Sequence, residues 1–107
     1  MHIITHTRIV AACEKWPQAA SALDGWYRTM KKNEPTDFAS LKQLFPAVDK
    51  VGDLYVFDIG GNKLRLIARV LFQARRVYIR TVLTHKEYDK GDWKEDKDHE
   101  YRSKTSH

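Results

Sequence analysis

The sequence predicts an α+β domain in which helices pack on one face of a small antiparallel sheet. Residues 7–44 place apolar side chains at helical spacing. Residues 54–84 read as strand runs separated by turn signals. The length of 107 residues suits one domain and leaves no room for a second catalytic one.

The elements follow in order. Ile3 and Ile4 make residues 2–5 a short strand. Thr7 is placed to cap a helix that runs to Trp16, with Ile9, Val10, Cys13 and Trp16 at helical spacing. Pro17 opens a second helix, where a missing N–H costs little. That helix carries Ala20, Leu23, Trp26, Tyr27 and Met30 and ends in Lys31-Lys32-Asn33-Glu34-Pro35. Thr36 or Asp37 caps a short third helix through Phe38, Leu41 and Leu44, and Pro46 stops it. Leu54 to Ile59, Asn62 to Gln73 and Arg76 to Thr84 then form an antiparallel meander. Residues 1–90 form the domain; residues 91–107 are a charged tail, a frayed helix or disordered, with only Trp93 and Tyr101 to bury.

Gly60-Gly61 is a tight hairpin signal because both central residues of a type I′ turn need positive φ. A two-residue turn there pairs Phe57 with Leu64. Ala74-Arg75, or a slightly longer turn, joins the next two strands, and a two-residue turn there pairs Phe72 with Val77. Side chains alternate along strands, so one face collects Tyr55, Phe57, Ile59, Leu64, Leu66, Ala68, Val70, Phe72, Val77, Ile79 and Leu83. The opposite face collects Lys63, Arg65, Arg69, Arg80 and Tyr78 among Val56, Ile67 and Val82. This register sets Arg69 across from Arg80, a destabilising pair of like charges unless an anion lies over it. Only Asp58 stands on that face to pair with a cation, opposite Lys63.

Charge is concentrated in the same region. Nineteen Lys+Arg against fourteen Asp+Glu give +5. Residues 55–90 hold eight basic and three acidic side chains, again +5, while the flanking segments nearly balance. A localised excess points to a polyanionic partner, and interleaved Ile67 and Tyr78 would offer bases a surface between phosphate contacts. After the last strand, Thr84-His85-Lys86-Glu87-Tyr88-Asp89 gathers an imidazole, an ammonium, a phenol and a carboxylate. RNA cleavage by its own 2′-OH needs a base, cations around the phosphorane and an acid for the 5′-oxygen. His is the natural proton carrier near neutral pH. Taken singly, a lone histidine at a strand end is more often a surface or capping residue, and a lone tyrosine a packing one.

Other classes are disfavoured. Cys13 is the one cysteine, which excludes an internal disulfide framework and a Cys-based zinc site and fits a reducing cytosol. No apolar run reaches the roughly 20 residues of a membrane helix, and Met1-His2-Ile3-Ile4-Thr5-His6 is not a signal peptide. His2, His6, His99 and His107 have no metal-site spacing, so neither metal nor cofactor is expected.

Two blocks, Tyr55-Val56-Phe57-Asp58-Ile59-Gly60-Gly61-Asn62-Lys63-Leu64-Arg65-Leu66 and Val77-Tyr78-Ile79-Arg80-Thr81-Val82-Leu83-Thr84-His85-Lys86-Glu87-Tyr88-Asp89, resemble the HigB family of bacterial type II toxins. The opening Met1 to Thr5 and the stretch from Leu41-Lys42 to Phe45-Pro46 fit as well, so the resemblance covers residues 1–90. It implies a RelE-like fold and a metal-independent endoribonuclease, an mRNA interferase that cuts mRNA on the translating ribosome and arrests growth. It also implies a HigA-type helix-turn-helix antitoxin, operator DNA bound only through that antitoxin, and a cytoplasmic location. Carried over by position, it makes Arg65, Arg80, His85 and Tyr88 the catalytic candidates. Asp89 is an orienting residue, and Lys63, Arg69, Arg75, Arg76 and Lys86 bind RNA. Two alternatives remain beside it: a non-catalytic RNA-binding module using the same basic face, and an inactive relative that only binds its antitoxin.

Overall fold

The computed structural model describes residues 1–61, 63–91 and 93. The elements are β1 (His2–Ile3), α1 (His6–Lys15), a 3₁₀ turn (Pro17–Ala19), α2 (Ala20–Lys32), α3 (Phe38–Leu44), β2 (Asp49–Val51), β3 (Leu54–Ile59), β4 (Leu64–Leu71), β5 (Arg76–Thr84) and α4 (His85–Lys90). One five-stranded sheet has the order β1-β5-β4-β3-β2. β2 to β5 run antiparallel, and β1 adds to β5 in parallel. The fold is α+β, as expected; β2 was not, because Asp49-Lys50-Val51 carries little strand signal beyond one β-branched residue.

The helix caps were only partly legible. Asp37 caps α3 as predicted: its carboxylate accepts from the Ser40 N–H at 2.9 Å, and Ser40 Oγ accepts from the Asp37 N–H at 3.1 Å. α1 does not start at Thr7. Its N-cap is Thr5, whose hydroxyl makes no cap bond. That hydroxyl instead accepts from the Ile79 N–H at 2.6 Å and donates to the Ile79 carbonyl at 3.1 Å. β1 leaves the sheet after Ile3, and Thr5 takes over its pairing duty to β5 for one residue. The Met1 ammonium donates to the Met30, Lys31 and Asn33 carbonyls, closing the end of α2.

The main core lies between the helices and one sheet face. Leu23, Met30, Leu41, Val48, Phe57, Leu66, Val77 and Ile79 are among its fully buried side chains. Burying each is worth roughly 1.5–3 kcal/mol. Phe57 meets Trp26 and Phe45 edge-on, at 5.3 and 5.2 Å between ring centroids.

The first hairpin loop is longer than predicted, and the second takes the longer of its two expected forms. Ile59 pairs with Leu64 and Leu71 with Arg76, so residues 60–63 and 72–75 form the loops. Gly60 and Gly61 do take positive φ, at 64° and 60°. Asn62, the predicted partner of Ile59, lies outside the described residues. Each register moves by two residues, which preserves the face of every side chain up to Ile79. A bulge between Ile67/Ala68 and β5 then adds one residue, Arg80, and inverts the alternation. Three corrections follow. Arg69 faces Tyr78, not Arg80. Val82 packs with the main core, and Leu83 joins the opposite face. Asp58 stands across from Arg65, not Lys63.

That opposite face is not the open surface the alternation predicted. Leu54, Val56, Ile67 and Trp93 form a second buried cluster, with Val51, Leu83 and Tyr88 packed against it. Ile67, expected as a surface for bases, is 1 % exposed. Trp93, assigned to the tail by composition, is 5 % exposed. The other aromatic expected there, Tyr101, lies outside the described residues.

Candidate active site

The site is built where β3, β4 and α4 converge. Arg65 sits on β4 across from Asp58, and its Nη1 donates to Asp58 Oδ1 at 3.0 Å. Their side chains are only 14 % and 24 % exposed, so water screens this pair less than a surface pair. The Arg65 guanidinium carbon lies 5.5 Å from the Tyr88 ring centroid, within cation–π range. Tyr88 stacks in turn on Trp93, with centroids 5.2 Å apart and planes 15° from parallel. Ala47, Asp49, Val56, Asp58, Arg65 and Tyr88 line a pocket of about 280 Å³. It has a fixed cation on one wall, a phenol on another and carboxylates at the rim.

α4 begins where β5 ends because Thr84 is a strong cap. Its Oγ1 accepts from the Glu87 N–H at 3.1 Å, and Glu87 Oε1 accepts from the Thr84 N–H at 3.0 Å. The Thr84 N–H bond is the main reason the Glu87 carboxyl titrates below its ordinary range. Within α4, His85 Nδ1 lies 3.0 Å from Asp89 Oδ2, one helical turn on. A carboxylate at Nδ1 fixes the ring's orientation and leaves Nε2 for other work. Gly91, at φ 77°, ends the helix in the left-handed conformation.

The structure brings Arg65 and Tyr88 together and pairs His85 with Asp89. It distributes the other candidates. Arg80 is the extra residue at the bulge. Lys63 lines a separate pocket of about 330 Å³ with Trp16, Gln18, Ala19, Leu64 and Thr84. Arg69 lines another, of about 240 Å³, and reaches Asp53 at 4.0 Å. Arg75 lies in the β4–β5 loop at φ 57° and meets Glu34 at 3.4 Å. Arg76 and Lys86 are exposed. Acids therefore meet three of these arginines, more than the predicted register allowed. Burial first, then Asp24 and Glu14, raise the Cys13 pKa and favour its thiol form.

Sequence reasoning missed two parts of this site. Asp58 had the right face but the wrong partner, and a four-residue loop would have aligned it with Arg65. Trp93 was left in the tail, although Gly91 just before it is a helix-ending signal that turns the chain back.

The structure defines a small α+β domain with an arginine and a phenol set together in a pocket between its sheet and α4. A family model for HigB_toxin, described as the RelE-like toxic component of a toxin-antitoxin system, matches residues 19–91. The chain belongs to this family. It is 44 % identical over 92 residues to the mRNA interferase toxin HigB of Escherichia coli (strain K12), a match covering 83 % of this chain and 88 % of that protein. The mRNA interferase HigB of Shigella flexneri matches to the same extent. The mRNA interferase HigB of Escherichia coli O6:H1 is 34 % identical over 93 residues, 84 % of this chain and 90 % of that protein. No helix among the described residues is long and apolar enough to cross a membrane.

Proposed function

We propose that this toxin is an mRNA interferase, an endoribonuclease that cuts mRNA on the translating ribosome. The observation that carries this is the half-buried Arg65 guanidinium, held by Asp58 and set against Tyr88 in a pocket open to a phosphate. The names of the similar toxins support the same reaction.

In this mechanism the RNA supplies its own nucleophile. The 2′-oxygen bonds to the adjacent phosphorus as its proton passes to a base. The bond to the 5′-oxygen breaks as an acid protonates that oxygen. The products are a 2′,3′-cyclic phosphate and a 5′-hydroxyl. His85, oriented by Asp89, and Tyr88 carry the protons. Arg65 and Arg80 stabilise the charge on the phosphorane. Lys63, Arg69, Arg75, Arg76 and Lys86 bind the RNA backbone. The reaction needs no metal or cofactor. The toxin acts in the cytoplasm and arrests growth. A HigA-type helix-turn-helix antitoxin neutralises it, and operator DNA is met only through that antitoxin. Residues 1–90 form the toxin domain, Gly91 and Trp93 pack onto it, and the sequence beyond them is a charged extension.

The test is induced expression without antitoxin, wild type beside Arg65→Ala and His85→Ala, with primer extension on a translated mRNA. Wild type arrests growth and leaves cuts with 5′-hydroxyl ends, and neither variant does. Arrest without cuts would mean inhibition by binding alone. A 5′-phosphate on the fragments would overturn 2′-OH attack.

A further inference from the structure

We infer that Trp93 is a positioning residue for the ribonuclease reaction, acting through Tyr88. This rests on the site proposed above and extends it to a residue outside the candidate set.

α4 cannot hold Tyr88 in place unaided. The helix has six residues and buries none of them fully, and helices this short are marginal in water. Its cap fixes the first turn. The last turn, where Tyr88 sits, needs a different anchor. Gly91 supplies the reversal, and Trp93 supplies the anchor. Its indole is buried on Leu54, Val56 and Ile67, the rigid centre of the sheet. From there it makes two contacts to one residue. Its ring stacks on the Tyr88 ring, and its Nε1 donates to the Tyr88 carbonyl at 3.0 Å. The same carbonyl accepts from the Gly91 N–H at 3.0 Å.

Tyr88 is thus gripped at its backbone and on its ring by Trp93, and the same ring meets the Arg65 guanidinium. The order is sheet, Trp93, Tyr88, Arg65, pocket. Removing Trp93 frees the phenol to turn and withdraws the surface against which Arg65 rests. Nothing in this arrangement requires Trp93 to touch RNA, because its ring is covered by protein.

The experiment is single-turnover cleavage of a translated mRNA on purified ribosomes, with rate and half-saturating toxin concentration measured separately. A misplaced reacting group typically costs about 10-fold to 100-fold. Trp93→Ala is expected to lower the rate by that amount with half-saturation unchanged, and Trp93→Phe, which keeps the stacked ring, to recover most of it. The deciding measurement is a double-mutant cycle with Tyr88→Ala. If Trp93 acts through Tyr88, adding Trp93→Ala to Tyr88→Ala costs no further rate. An independent, additive loss would overturn the inference, as would a Trp93→Ala rate equal to wild type or a loss confined to half-saturation. Should Trp93→Ala lose its folded circular dichroism spectrum, Trp93→Leu keeps the apolar bulk and is read by the same cycle. Failure of the underlying site reading looks different: Tyr88→Ala and Arg65→Ala would then cleave like wild type.

Discussion

The Arg65 guanidinium carbon stands 5.5 Å from the centre of the Tyr88 ring while Nη1 of the same group donates to Asp58. The guanidinium is therefore fixed from two directions before any RNA arrives. Fixed charge stabilises a developing phosphorane better than mobile charge, because no reorganisation is needed during the reaction.

Arg65→Ala is expected to lower the cleavage rate about 10²-fold to 10³-fold, the usual loss for a group aimed at developing charge. Arg65→Lys is expected to recover little, because an ammonium lacks the planar fork that serves Asp58 and stacks on Tyr88. Single-turnover rates with ribosome-bound mRNA measure both, and matching thermal melts confirm that the variants fold.

Asp58→Asn separates binding from chemistry. It removes a negative charge from the pocket and loosens Arg65. RNA affinity at low salt is expected to rise about fivefold, equivalent to ~1 kcal/mol, while the cleavage rate falls. Filter binding and single-turnover cleavage read the two effects. A parallel change in both would mean that Asp58 does not hold Arg65 for catalysis.

Thr5→Val tests how the edge of β5 is satisfied beside the bulge. Valine has nearly the same shape but leaves the Ile79 N–H and carbonyl without their partner. The expected cost is about 1–3 kcal/mol, read as a lower melting temperature. Thr5→Ser, which keeps the hydroxyl, is expected to retain most of the stability.

Glu87 makes α4 sensitive to acid. Its folded pKa lies below the ordinary value of 4.5, first because of the hydrogen bond from the Thr84 N–H. A carboxyl lowered on folding stabilises the fold above its unfolded pKa and loses that contribution as pH falls through the folded one. Wild type is therefore expected to lose its stability advantage over Glu87→Gln as pH drops below 4.5 and on through the lowered pKa. Thermal melts of both proteins across that range check the sign. A gap that widened on acidification would contradict it.

Much of the fold was legible because its signals are local. Pro17, Asp37, Pro46 and Gly60-Gly61 each punctuate the chain by their own chemistry, and the structure breaks at all four, although Pro17 opens a 3₁₀ turn ahead of α2 and the glycines sit in a four-residue loop. Hairpin loop length is less local: Phe57 pairs with Leu66, two residues from the predicted pairing. Faces survived that error because a shift of two preserves parity. The bulge at Arg80 did not preserve it, and nothing in Ile79-Arg80-Thr81 announces an extra residue. The site was legible as a set of residue types, but not as contacts. Arg65 meeting Asp58, and Trp93 folding back under Tyr88, depend on how distant segments pack.

Arg65, Arg69 and Arg75 each reach a carboxylate of the protein, Asp58, Asp53 and Glu34. Each of those arginines brings its own counterion. A phosphate that takes such an arginine frees its own condensed cation, but the displaced carboxylate attracts a cation back, so the net release is smaller. Seven cations acting independently would give a salt slope near −5 for single-stranded RNA, at about −0.7 per contact. With carboxylates competing for three of them, the slope is expected to lie between about −3 and −5. The carboxylates thus trade a weaker grip on RNA at low salt for a smaller loss as salt rises.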